Sequence, residues 1–189
     1  MKRIFIAAIA LLLFMCAGCA KQPALPAPGT PGTLTITFDF ERQSGYSTNQ
    51  YAVWIEDMDG VVVRTLFATK FTAAGGYEKR PNSLTTWVER AVRTGITDAD
   101  AVAGATPKSG PVSYVWDCRD ERGNAVPAGA YIFHVEFTYR VSEGSSAGRS
   151  AWGKIEIGGG NATARAWESP ADTPPASDMV TNVRADYTA

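Results

Sequence analysis

The chain has 189 residues, and its 18 Lys plus Arg stand against 19 Asp plus Glu, a balance that offers no basic surface for nucleic acid or an anionic membrane. With 45% hydrophobic and 11% aromatic residues it holds enough apolar material for one packed domain, so disorder is not the default. One histidine and three cysteines leave too few side chains for a zinc centre, a Ser-His-Asp triad or a Cys-His pair.

Lys2 and Arg3 precede an apolar run from Ile4 to Ala17, the charged and hydrophobic regions of an export signal. The run is too short to cross a bilayer comfortably, which takes about 20 residues. It ends Cys16-Ala17-Gly18-Cys19 and resembles the lipobox of bacterial lipoproteins, with Cys16 where that pattern usually has Leu. The resemblance implies a thioether-lipidated Cys19 as the mature N-terminus; an ordinary signal peptide cut near Ala20 is the alternative. Several acyl chains, at about 0.8 kcal/mol per buried methylene, would make release negligible. Ala20 after the lipidated cysteine resembles the pattern sent to the outer membrane in diderm hosts. Cys118 would then be the only free thiol, so no intrachain disulfide is expected.

Residues 20–32, with prolines at 23, 26, 28 and 31, predict an extended spacer of about 40 Å at ~3.1 Å per residue. The folded part is expected from Thr33. Leu34, Ile36, Phe38 and Phe40 alternate with polar residues and predict a half-buried strand. Tyr51, Val53 and Ile55 form one face of a second strand, which turns through Asp57-Met58-Asp59-Gly60 into a third over 61–69. Asp57 and Asp59 could open a calcium loop, but the residues needed to close one are missing, and a hairpin turn is the better reading.

After Pro81, Leu84, Trp87, Val88, Ala91 and Val92 recur at helical spacing, with Asn82 or Ser83 to cap the start and Gly95 to end it. Further strands are expected over 112–116, 131–139, 151–157, 162–167 and 180–187. The alternation is clearest in the second of these, with Tyr131, Phe133, Val135, Phe137 and Tyr139 on one face. His134, Glu136, Thr138 and Arg140 occupy the other, read as solvent-facing. The five tryptophans, 54, 87, 116, 152 and 167, could line a sugar-stacking face but fit core and sandwich-edge positions better. The Pro-rich stretch 169–177 reads as a surface loop.

Trp116-Asp117-Cys118-Arg119-Asp120, with Gly123, Val126-Pro127, Gly129 and Tyr131, resembles the WDGRD-x-x-G-x-x-VP-x-G-x-Y signature of immunoglobulin-like domains of the flagellar hook-capping type. Cys118 stands where the signature usually has glycine, the G of WDGRD. The physics of the stretch is that of a turn, with Asp117 and Asp120 accepting from backbone N–H groups.

Over residues 33–187 the chain resembles the domain of unknown function 2271 family of predicted periplasmic proteins. The matching features are AVWIEDMDG at 52–60, the Trp87 helix, residues 100–106, the Trp116 turn and the closing strand. The resemblance implies an exported, non-catalytic domain, often encoded beside membrane flavoproteins and periplasmic flavin transferases. In that setting Asp100-Ala101-Val102-Ala103-Gly104-Ala105-Thr106 is similar to the flavinylation motif D-x-x-[ST]-G-A-[ST]. The similarity implies Thr106 as the acceptor that retains FMN as a phosphodiester, Gly104 and Ala105 as small residues leaving it accessible, and Asp100 as the acidic member. Ala103 departs from that motif. The other reading of these residues is a surface loop with turns at Pro107 and Gly110.

These readings give a mainly β protein, an immunoglobulin-like sandwich of about seven to eight strands with one inserted α-helix near residues 83–94. A flattened barrel is the competing layout. Residues 1–18 are the lipoprotein signal, 19–32 the lipidated cysteine and tether, and 33–189 one domain. The expected function is an exported, lipid-anchored, non-enzymatic binding or accessory protein of the cell envelope. It would have no cofactor, would not bind nucleic acid, and would have a membrane flavoprotein as candidate partner. The alternative is an electron carrier with covalent FMN on Thr106; a hydrolase using Asp117 and Asp120 ranks last.

Overall fold

The computed structural model describes residues 32–44, 49–142, 145–168 and 178–189, without the side chains of 140–147 and 168. The signal, Cys19, the tether up to residue 31 and the 169–177 stretch lie outside the described residues.

Two sheets pack face to face. The first has the order β5 (Gly110–Trp116), β1 (Thr33–Phe40), β10 (Val180–Thr188), β8 (Ala162–Arg165), all antiparallel. The second has the order β4 (Ala103–Gly104), β3 (Val62–Thr69), β2 (Gln50–Glu56), β6 (Gly129–Ser142), β7 (Ser145–Ile157), β9 (Trp167–Glu168). The protein is thus the expected β-sandwich, and its eight strands longer than two residues agree with the sequence reading. The two-residue β4 was not anticipated: it pairs in parallel with Ala68 and Thr69 of β3, a contact too short for any periodicity to announce.

Alternation builds the core as expected. Leu34, Ile36, Phe38 and Phe40 of β1 face Tyr51, Val53 and Ile55 of β2 and Phe133, Val135 and Phe137 of β6, all buried. Trp116, Tyr187 and Ile155 fill the space between. The first and last long strands pair from Thr33↔Thr188 to Phe40↔Val180, so the chain enters and leaves the domain side by side. Gly32 sits at the start of β1 with φ +107°, and a Cβ there would lie 2.3 Å from Thr188 O; only glycine fits this position.

The outer face of the six-stranded sheet carries a second core. Residues between β3 and β4 form α1 (Lys70–Ala73), a 3-10 turn (Gly76–Glu78) and α2, an α turn over Thr85–Trp87 that continues as a π turn over Val88–Val92. The expected helix is present, but it is one of three helical pieces and it runs from 85 to 92. Leu84, Trp87, Val88 and Ala91 pack onto Ala52, Trp54, Val62 and Ala68. Every residue of β2 is therefore buried, as a strand covered on both faces must be.

Two expectations are corrected here. Neither Asn82 nor Ser83 caps α2: Leu84 holds the capping position at φ +49° with no side-chain cap of its own. The second face of β6 is not solvent-facing, for His134, Glu136 and Thr138 are all buried. The helical layer covers that face, and alternation alone does not say what lies above each face.

Candidate functional site

The Trp116 turn is held by a dense set of hydrogen bonds. Asp120 Oδ1 accepts from the backbone N–H of Arg122 (2.9 Å) and Asn124 (2.8 Å), and Oδ2 from Asn124 Nδ2 (3.1 Å). Despite some cost of burial, these bonds hold its carboxyl below the usual range. Trp116 Nε1 donates to Arg119 O (2.7 Å), and the Val126 N–H to Cys118 O (2.9 Å). Asp117 has a different part from the one expected: it is exposed and faces Arg119 at 3.8 Å. Asp120 is committed to the turn, so no pair of free acids stands here for hydrolysis.

Cys118 has φ +56° and no exposed surface. The backbone region explains the glycine of the signature at this position. Burial, aided by the nearby Asp117 charge, pushes the thiol up to about 11, which leaves it inert as a nucleophile at neutral pH.

Glu121 fixes the turn to the rest of the molecule. Its N–H donates to Val63 O (3.0 Å), and its Oε1 accepts from Thr65 N (2.8 Å) and Thr97 Oγ1 (2.7 Å). Arg64 Nη1 reaches Asp120 O at 3.1 Å. Between this turn, the β2–β3 hairpin and the segment after α2 lies a cleft of about 580 Å³, within the size range of small-molecule and peptide-tip sites. Val62, Val63, Ile96, Val126 and Pro127 line it on the apolar side, and Asp57, Asp120, Glu121 and Arg122 add charge. Tyr131 also lines it; burial, then the Asp57 charge, raises its pKa, and its hydroxyl donates to Pro127 O at 2.9 Å. Asp57 itself closes the hairpin by accepting from Asp59 N (3.0 Å) and Val61 N (2.9 Å), the turn role expected of it.

Under the helical layer lies a polar cluster that the sequence reading missed. Glu56, 1% exposed at its side chain, accepts from Trp54 Nε1 (2.7 Å) and Arg90 Nη1 (2.6 Å), and His134 Nε2 lies 3.1 Å away. Burial alone would raise this carboxyl; the contacts from His134, Trp54 and Arg90 outweigh it and bring its pKa down to about 2. The signal was present: an uninterrupted apolar AVWI in β2 demands cover on both faces, and Glu56 follows directly.

Asp100, Gly104 and Thr106 are brought to one edge, but each has a structural duty. Asp100 is exposed and its carbonyl accepts from the Ala103 N–H (3.3 Å). A Cβ on Gly104 would lie 2.2 Å from Phe67 Cε2, so this glycine is required by packing. Thr106 Oγ1, half-buried, donates to Asn49 O at 3.2 Å. No cradle for a flavin ring follows from these contacts. Among the described residues no group of three or more His, Cys, Asp and Glu side chains could hold a metal ion.

Fold and cleft together define a two-sheet sandwich with an open, mixed-polarity cleft at the end where the chain enters. The family model described as predicted periplasmic protein (DUF2271) matches residues 33–147, more than half of the chain. The chain belongs to that family. No curated protein and no solved structure matches it.

Proposed function

We propose that this protein is an exported, lipid-anchored binding module of the cell envelope, held at the membrane through Cys19, whose cleft receives a segment of a membrane partner. The observation that supports it most is the position of the cleft. Leu34 pairs with Trp116 at the start of β1, and the Trp116 ring contacts Tyr131, which lines the cleft. The cleft therefore opens at the pole where β1 begins, the end of the domain that follows the proposed anchor in the sequence. A membrane flavoprotein is the partner that the family's setting favours, and the outer membrane is the proposed address in a diderm host.

A photo-cross-linking residue at Val61, half-exposed on the cleft, against one at Lys108, exposed at the far pole, tests this in intact membranes. A discrete adduct from position 61 alone is expected; no adduct, or the same adduct from both, overturns the reading. Radiolabelled palmitate should enter the wild type and not Cys19→Ser. The covalent-FMN alternative rests on Thr106, beside the exposed Ala105. Co-expression with a periplasmic flavin transferase and intact mass measurement decides it: an FMN increment lost in Thr106→Ala supports it, and no increment removes it.

A further inference from the structure

On the outer face of the six-stranded sheet, four ring-bearing side chains fall in one row across the strands. Trp54 of β2 stands opposite His134 of β6, His134 opposite Trp152 of β7, and Trp152 opposite Trp167 of β9. The helical layer covers only the start of this row. Trp54 is fully buried and stacks on His134 with centroids 4.6 Å apart and planes 4° from parallel. Trp152 and Trp167, by contrast, are 42% and 76% exposed, and no ring of the described residues stacks on either. Two adjacent exposed indoles are costly to keep in water, unlike a single scattered apolar residue.

Their surroundings narrow the occupant. On the same face of β7, Lys154 and Glu156 pair with each other at 3.1 Å, and Ser150 lies beyond, half-buried. Charge is thus neutralised locally while donors and acceptors remain. An anionic membrane would need unpaired cations, and a protein partner would need the apolar surface to continue past the two rings. A neutral polyhydroxylated chain meets both conditions: its C–H faces stack on indoles and its hydroxyls bond to paired charges and a serine. Adjacent strands stand about 4.8 Å apart, close to the advance of one sugar in an extended β-linked glycan.

We propose that Trp152 and Trp167 form a stacking shelf for an extended, uncharged β-linked glycan, with consecutive sugar rings on the two indoles and Lys154, Glu156 and Ser150 bonding to their hydroxyls. The shelf is separate from the cleft and lies outside the family-matched residues 33–147. It would add to the lipid anchor a hold on envelope polysaccharide.

The test uses the full chain in mild detergent, with chitohexaose as probe, read by tryptophan fluorescence and calorimetry. Saturable binding is expected, weakened about tenfold by Trp167→Ala, as for one lost stacking ring, and abolished in Trp152→Ala/Trp167→Ala. Trp152→Phe, which keeps a ring, should retain most of it. Trp167→Ala should leave the thermal midpoint unchanged, so a loss of binding there is not a loss of fold. Val61→Arg, on the cleft, should bind the probe as the wild type does. No saturable response, or equal affinity in the double variant, overturns the proposal. So does a Trp167-dependent association with phosphatidylglycerol vesicles, or with a second copy of the chain, in place of the sugar.

Discussion

At the residue scale, the buried acid Glu56 controls how the molecule meets low pH. Its pKa is depressed from 4.5 to about 2, so its contribution is complete above about pH 4.5 and is lost as pH falls through about 2. That contribution is on the order of 3 kcal/mol. Urea midpoints should therefore drop between pH 5 and pH 2, and Glu56→Gln should be destabilised by about 3 kcal/mol at pH 7 because Arg90 loses its counter-charge. A variant with the wild-type pH profile would contradict this account. Cys118 makes a second prediction. Its thiol should ignore alkylating reagents in the native state and react fully in urea. Cys118→Gly should fall within about 1 kcal/mol of wild type, since relief of the positive φ offsets the lost contact. Cys118→Val, β-branched at the same φ, should cost about 2 kcal/mol or more. Both residues were plain in the sequence, Cys118 even as the odd member of a glycine-bearing signature. The φ angle and the burial that give them meaning were not.

At the scale of elements, α2 shows what local reading misses. Its apolar stripe was legible and points inward as expected. Its cap was not: the N–H groups of Thr86 and Trp87 donate to the Glu136 carboxylate at 3.0 and 2.8 Å, from a strand about fifty residues on. Capping side chains are usually sought beside a helix; here the sheet beneath supplies one. Burial raises the Glu136 pKa, although those N–H bonds oppose it. Its sign is thus opposite to that of Glu56: its contribution is present below the unfolded carboxyl pKa and is lost as pH rises through the raised folded value. Glu136→Ala should cost about 2 kcal/mol or more by leaving one buried and one part-buried N–H group unpaired, with protection from hydrogen exchange falling first in residues 85–92. Glu136→Gln, which keeps an acceptor and carries no charge, should cost less at pH 7 than at pH 4; the reverse order would refute the assignment.

At the scale of the whole molecule, closure depends on the last strand. β10 pairs with both β1 and β8 and supplies Val180, Val183, Ala185 and Tyr187 to the inter-sheet core. A chain ending at residue 147, where the family match stops, should show no cooperative unfolding transition, because β1 would keep only β5 as a partner and half of its sheet would be missing; a sharp melt would show that the matched part folds alone. The poles also separate the two functional readings. The cleft opens where β1 begins, while Thr106, bonded to Asn49 at the start of β2, lies at the opposite pole.

The sequence by itself determined the strands of a mainly β domain, the hairpin at Asp57, the helix stripe and the Trp116 turn. Each rests on contacts within a few residues or on a period of two or 3.6, and such patterns are written along the chain. Only the tertiary structure decided that His134, Glu136 and Glu56 are buried, that Gly104 is held under Phe67, and that two of five tryptophans stay open on one face. Those facts depend on which element lies over which face, and that is settled by packing between residues far apart in the chain.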